Sequence, residues 1–346
     1  MSQKVYLLPP GQQYKANLHT HSRVSDGFFT PAEVKQMYKD AGYSIVAMTD
    51  HNIVADHSAL SDGDFLFLTG AEFNMTPPEY SQSKGKRGKN YHFCFIAKRP
   101  DNLWQPFPMG RIREFSVPYV EKSRPENMPH AYDLEQVNAI IARGNEMGFL
   151  VTYNHPVWSL QDYTDWSGLK GLWAMEVCNT GCVAGGFTEH SANVYHTMLR
   201  LGMRLFPVAA DDMHNGVQQS GKSDFGGAWC MVVAEKLEYA SVIDALERGD
   251  FYASIGPEIT ELTLEDGMVD IRCSPAVSIQ VETHARTQRL VIPKDGAQTI
   301  DGARFDLKEW MEEEKDAPSA FFRITVTAPD GTYAVTRAYW LDELFK

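Results

Sequence analysis

The sequence predicts an α/β fold: a parallel-stranded β/α barrel of about seven repeats, followed by a small all-β unit. Two observations carry this expectation. Short apolar runs alternate with amphipathic helical stretches through the first 250 residues, and the pattern changes near Gly256-Pro257, beyond which only strand-like runs and hairpin turns occur. We therefore expect a barrel over residues 1–257 and a β-sandwich over 258–346.

The expected strands are residues 44–49, 65–68, 91–96, 149–153, 172–177, 205–209 and 228–233, all rich in β-branched and aromatic side chains. Helices fall between them. Thr30-Pro31-Ala32-Glu33 combines a capping threonine, proline at the first helical position and glutamate three residues after the cap. Residues 133–147 and 188–203 are the other clear helices, with Gly148 and Gly202 near their ends. In the tail, residues 259–264 and 268–273 flank Glu265-Asp266-Gly267, and 321–327 and 333–340 flank Pro329-Asp330-Gly331. Asp-Gly between apolar runs is a strong hairpin signal.

Composition narrows the function. Hydrophobic residues make up 43% of the 346 and charged residues 22%, as in a globular protein with a sizeable core. The net charge of -13 argues against nucleic acid as a partner. No window approaches the ~18 apolar residues of a membrane span. The first ten residues lack the apolar region of a secretory signal, so a cytoplasmic location is expected. Cys94, Cys178, Cys182, Cys230 and Cys273 form no Cys-x-x-Cys pair, and buried structural thiols are the expectation for them. Nothing in the sequence sets the oligomeric state.

Residues with metal-binding chemistry cluster just past the strand ends. His19-Thr20-His21 and Ser25-Asp26-Gly27 come first, then Asp50-His51-Asn52, Glu72, His92 within a strand, Asn154-His155-Pro156, and Asp211-Asp212-Met213-His214. In β/α barrels such residues converge at the mouth formed by the C-terminal strand ends. Crowded carboxylates repel and crowded imidazoles need partners, and divalent metal ions resolve both problems. On extended backbone, His19 and His21 project to the same side and can share one ion. The mixed nitrogen and oxygen set suits Zn, Mn or Fe better than Mg or Ca.

These residues resemble the PHP superfamily (polymerase and histidinol phosphatase). The resemblance rests on His19-Thr20-His21 with Ser25-Asp26-Gly27, Met48-Thr49-Asp50-His51-Asn52, Gly70-Ala71-Glu72, Tyr91-His92-Phe93, Asn154-His155-Pro156 and Asp212-Met213-His214. It implies a distorted (β/α)7, TIM-like barrel and a centre of two or three divalent metal ions. The ligands it implies are His19, His21, Asp26, His51, Glu72, His92, His155, Asp212 and His214, with Glu72 bridging ions. The segment 249–259 with its all-β tail resembles one branch, which includes predicted phosphoesterases and a hydrolase of aryl carbamates. The proline-rich stretch 99–129 does not align with the family and is a candidate lid or substrate wall.

The expected reaction is attack of metal-bound hydroxide on a small-molecule phosphomonoester. Asp50 is the candidate catalytic carboxylate, as an orienting hydrogen-bond acceptor for a ligand histidine or as a proton shuttle. Arg87, in the basic run 84–89, and Lys222, eight residues past His214, are candidate substrate-binding cations. Glu176 reads equally as a site residue or a buried paired carboxylate, and Trp158 and Trp173 as pocket walls or core. His57, His130, His190, His196 and His284 are expected not to bind metal. The competing readings are hydrolysis of a carboxyl ester or carbamate at the same centre, and a metal-binding module without catalysis.

Overall fold

A computed structural model describes residues 4–77, 88–109, 114–129 and 131–344. The chain opens with β1 (Val5–Leu8) and β2 (Gln12–Asn17), then α1 (Pro31–Asp40), β3 (Ile45–Met48), β4 (Leu66–Met75) and β5 (Tyr91–Ala97). Short strands β6 (Trp104–Gln105) and β7 (Arg124–Pro125) enclose one turn of helix, α2 (Val117–Val120). Next come α3 (Leu134–Glu146), β8 (Phe149–Tyr153), α4 (Tyr163–Trp166), β9 (Ala174–Asn179), α5 (Thr180–Ala184) and α6 (Ala192–Arg200). They are followed by β10 (Phe206–Ala210), β11 (Trp229–Ala234), α7 (Tyr239–Arg248) and β12 (Phe251–Ser254).

The helices start where the chain chemistry says they should. Thr30 Oγ1 accepts from the Glu33 amide at 3.3 Å while Glu33 Oε2 accepts from the Thr30 amide at 2.8 Å, a complete capping box ahead of Pro31. Asp133 caps α3, whose Val137, Ile140 and Ile141 fall on one buried face. Gly144 continues that face, and a side chain there would collide with the Phe95 ring.

The main sheet runs β10-β9-β8-β5-β4-β3-β2-β11-β12 and then into the tail. β2, β3 and β4 pair in parallel, as do β8, β9 and β10. The expectation of an all-parallel set fails at β5, which is antiparallel to both β4 and β8, and at β11, which is antiparallel to β2. An antiparallel neighbour needs no crossover connection, whereas a parallel one does. Alternate residues of these strands, among them Ala16, Ile45, Leu68, Ile96, Leu150, Ala174, Val208 and Cys230, form one buried cluster, so the sheet curls around a shared interior. No ladder among the described residues closes it into the expected ring. The edge strand β10 is tied back to the interior strand β2 past their ends, through a parallel bridge between Thr20 and Met213.

The tail comprises β13 (Ile259–Glu265), β14 (Met268–Ala276), β15 (Ser278–Thr283), β16 (Gln288–Val291), β17 (Ile300–Asp306), α8 (Lys308–Glu314), β18 (Phe321–Thr327), β19 (Tyr333–Thr336), β20 (Tyr339–Trp340) and α9 (Leu341–Leu344). The two short helices depart from the expectation of strands alone; α8 buries Trp310 and Met311 against the tail core. The β13–β14 hairpin turns on Asp266 and Gly267, at φ of 50° and 76°, the left-handed pair that Asp-Gly favours. β1 pairs with β13 and β12 with β19, so ladders join the tail to the strands before it. Among the described residues, no helix is long and apolar enough to cross a membrane.

Candidate metal centre

The extension of β2 carries the His-x-His pair and is clamped from both sides. The Asp212 amide donates to His19 O at 2.9 Å, the His21 amide to Met213 O at 3.0 Å, and the Thr49 amide to Thr20 O at 2.9 Å. Two-residue periodicity then brings the rings together, with His19 Nε2 3.1 Å from His21 Nε2. His51 bridges to Glu72 past the end of β3. The reversal of β5 explains His92, which sits at that strand's beginning, opposite Asn74, and so reaches the same end as the other residues. His155 and Asp212 adopt left-handed backbone, at φ of 25° and 52°, a strain that non-glycine residues keep where the surroundings enforce it. For His155, Glu176 Oε2 accepts the amide at 3.0 Å.

Glu72 is the hub. Its Oε1 lies 2.8 Å from His92 Nδ1, 3.1 Å from His155 Nε2 and 3.3 Å from His19 Nε2. Its Oε2 lies 3.1 Å from His51 Nδ1 and 3.5 Å from His21 Nε2. Asp212 Oδ1 adds contacts of 3.2 Å to His19 Nε2 and 3.0 Å to His21 Nε2. Four overlapping sets have the spacing of a metal site: His19, His21, Glu72 and Asp212; His51, Glu72 and His92; His19, His155 and Glu176; and His21, Asp26, His51 and His214. The first and third are buried, and the second is buried except for the partly exposed His51. The fourth forms the rim, where the Asp26 side chain is 52% exposed against 1% for Glu72.

The donors fit divalent ions. His21 Nδ1, His51 Nδ1 and Asp212 Oδ1 are buried yet lack a hydrogen bond of acceptable geometry, despite the short approach of Asp212 to His21. Native proteins rarely leave such atoms without a partner. Nitrogen and carboxylate oxygen together are the donor set of Zn, Mn and Fe.

The electrostatics describe a site compensating its own charge. Burial would raise the Glu72 carboxyl, but the imidazoles of His92, His19 and His51 hold it well below the usual range. Asp212 is likewise lowered against its burial, chiefly by His19 and His21. Burial opposes protonation of His155, yet the hydrogen bond and charge of Glu72, with Glu176 and Asp212, lift it to about 9. His214 rises to about 10 against the same penalty through Asp26 and Asp212. His19 is raised in the same direction, whereas burial lowers His51 and His92.

Of the residues expected at the site, His19, His21, Asp26, His51, Glu72, His92, His155, Asp212 and His214 all fall within these sets. Asp50 lies beside them but contacts no ligand ring by hydrogen bond. Its Oδ1 accepts from the amides of Ser22 and Ser25 at 2.8 and 3.1 Å and from Ser25 Oγ at 2.7 Å, and its Oδ2 accepts from Ser22 Oγ at 2.8 Å. It therefore orients the turn that presents Asp26. Gly27 closes that turn, since a Cβ there would sit 2.8 Å from the His21 carbonyl. Lys222 is exposed in the loop after His214, whose ends pair through Val217 and Ser223. Arg87 and His130 lie outside the described residues.

Glu176, left open by the sequence, belongs to the centre. Its Oε1 is 2.6 Å from His19 Nδ1, which fixes that ring with Nε2 turned inward. Several supports were not singled out from the sequence. Asn154 Nδ2 donates to Glu72 Oε1 at 2.8 Å, and Asn179 Nδ2 donates to Glu176 Oε2 at 3.0 Å. Glu189 accepts the amides of Val157 and Trp158, and Asp224 those of His214 and Asn215. In the sequence Asn154 stood out only as the neighbour of His155, and Asn179, which ends β9, and Glu189 and Asp224, in loops, carried no signal beyond their place near strand ends. Trp173 packs on Phe206 and Phe251, away from the cluster, while Trp158 borders it. The 99–129 segment packs Val120, Met109 and Phe115 over Val24 and Ile53, on the loops that carry Asp26 and His51.

The chain is similar to solved structures of low sequence identity. One is a two-domain protein from Bacteroides vulgatus containing a predicted PHP-like metal-dependent phosphoesterase; it is 15% identical, with 96% of this chain and 98% of that chain covered and a TM-score of 0.46. Another, from Bifidobacterium adolescentis, is described as a metal-dependent phosphoesterase, at 15% identity, 61% and 93% coverage and a TM-score of 0.36. An amidohydrolase from Chromobacterium violaceum, with bound sulfate and no metal, matches at 15% identity, 60% and 90% coverage and a TM-score of 0.38. No family model and no curated protein matches the sequence.

Proposed function

We propose that the protein is a metal-dependent hydrolase of small-molecule phosphomonoesters, with a PHP-like centre. The observation that carries this is the convergence of five imidazoles on the two oxygens of the buried Glu72, with Asp212 alongside. A carboxylate so surrounded would hold ions together with these rings: its Oε1 faces His92, His155 and His19, its Oε2 faces His51 and His21, and Asp212 lies beside His19 and His21. Asp26, His51 and His214 would hold a further ion at the rim. Two or three Mn, Zn or Fe ions suit this donor set. Such ions supply Lewis-acid polarisation of a phosphoryl oxygen and lower the pKa of water. The chain's own residues do the positioning. Glu176 holds the Nδ1 proton of His19 so that Nε2 faces inward, and Asp50 fixes the Ser22–Ser25 turn that presents Asp26. The partly exposed rings of His51 and His214 line the opening through which a substrate would enter.

The same reading takes β2, β3, β4, β5, β8, β9 and β10, joined at one end by the Thr20–Met213 bridge, as a distorted seven-stranded barrel with residues 258–346 appended. The test is inorganic phosphate release from a panel of phosphomonoesters by protein reconstituted with Mn or Zn. Turnover is expected, and its loss in Asp212→Ala would tie it to the centre. Silence across the panel with metal bound would reject phosphomonoesters and redirect the search to carboxyl esters and carbamates.

A further inference from the structure

Trp158 stands three residues past His155 and packs edge-on against two candidate ligands, its ring centroid 5.0 Å from that of His155 and 5.2 Å from that of His92. It is nevertheless 37% exposed. Indole normally buries its large apolar surface, so an exposed one beside a polar cluster invites a partner. It is also held in place, because Glu189 accepts its amide at 2.6 Å and that of Val157 at 3.2 Å, while Ser191 Oγ donates to Glu189 at 2.7 Å. The other loops of the rim expose apolar side chains as well. Phe28 comes after Asp26, and its amide donates to His214 O at 2.7 Å; Val217 comes after His214; Leu160 comes after Trp158. Among the described residues, Lys89 pairs with Asp162 and Asp165 at 2.7 and 2.6 Å and Arg23 lies over the Phe115 ring, while Lys222 is exposed in the loop after His214.

We infer that Trp158 is a specificity residue, forming an apolar wall that receives a hydrophobic leaving group while the ions hold the phosphoryl group. This rests on the phosphomonoesterase reading and names its substrate class: phosphate esters of apolar alcohols rather than of sugars or nucleosides. The rim offers the organic part of a substrate apolar surface, and a polyol would gain little there for the water it loses.

The experiment uses the 346-residue chain reconstituted with Mn and two matched series, n-alkyl phosphonates for binding and n-alkyl phosphates for turnover, from methyl to hexyl. Leaving-group acidity barely changes along such a series, so chain length reports apolar contact. Phosphonate affinity measured by calorimetry should tighten about two- to fourfold per methylene over the first few carbons. That slope should persist in Trp158→Phe and flatten in Trp158→Ala, with metal content unchanged in both. A flat slope in the wild type, or an equal slope in Trp158→Ala, would overturn the assignment while leaving the phosphoesterase reading to the phosphate series. A chain-length slope without phosphate release would uphold the wall and reject the phosphoesterase. Failure of the loaded protein to bind any phosphonate would overturn both.

Discussion

Loading the metal-free chain with divalent ions should expel protons, and the structure sets how many. His155 is held at about 9 and His214 at about 10, and His19 is raised in the same direction. Near pH 7.5 His155 and His214 are predominantly imidazolium, and they balance carboxylate charge of Glu72, Asp212 and Asp26 that bound ions would otherwise balance. A metal accepts only the neutral ring. His51 and His92, lowered by burial, contribute no proton. His155 and His214 together give about two protons per chain, so the overall loading constant should rise on the order of a hundredfold per pH unit between about pH 7 and 8. Titration calorimetry in two buffers of different ionisation enthalpy, at one pH, reads the number directly. Release of less than about one proton would refute the charge assignment. The linkage has a second consequence. A histidine raised by folding stabilises the chain below its unfolded pKa of about 6.5 and loses that contribution as pH climbs through the folded value. The metal-free protein should therefore melt at a lower temperature at pH 10 than at pH 7, and a flat or rising profile would count against the raised values.

Three substitutions probe the supports of the centre. Glu176→Gln keeps the side-chain shape but removes the charge that orients His19, so metal affinity should fall about 10- to 100-fold with the circular dichroism spectrum unchanged; unchanged affinity would dismiss Glu176 as an orienting residue. Gly27→Ala forces a methyl group against the His21 backbone and displaces the Asp26 turn. It should cost the protein its most weakly held ion, and full stoichiometry in that variant would contradict the rim assignment. Asp211 accepts the amides of Gly226, Gly227 and Ala228 and the Tyr38 hydroxyl, so Asp211→Ala should lower stability to denaturant by about 3 kcal/mol or more; a change below about 0.5 kcal/mol would show those donors find other partners.

Much of the architecture was legible in the sequence because apolar periodicity and caps are local. The strand at Phe149–Tyr153, the capping box at Thr30 and the Asp266-Gly267 hairpin form where their residues indicated. What was not legible is set by long-range pairing. Counting strands suggested a parallel closed ring, but the direction of β5 depends on how the chain returns after Met75, which periodicity does not encode. The convergence of His19, His21, Glu72 and Asp212 was readable because Glu72 and Asp212 follow the expected strands 65–68 and 205–209 and His19 and His21 form an extended pair, although β4 itself runs on through Glu72 to Met75. Glu176 was ambiguous, since a residue within a buried strand points to either face and only tertiary placement aims its carboxylate at His19. Asp50 was expected against a histidine, yet the 22–25 turn folds back to satisfy it with amides and hydroxyls, which Ser22 and Ser25 signal only in retrospect.

The central claim is that this cluster is a metal centre built on Glu72. Elemental analysis of reconstituted, extensively dialysed protein, set beside a folded Glu72→Gln variant, tests it most directly. Roughly two to three divalent ions per chain in the wild type, falling below about one in the variant, is the expected result. Less than about one ion in the wild type, or equal stoichiometry in both proteins, would contradict it.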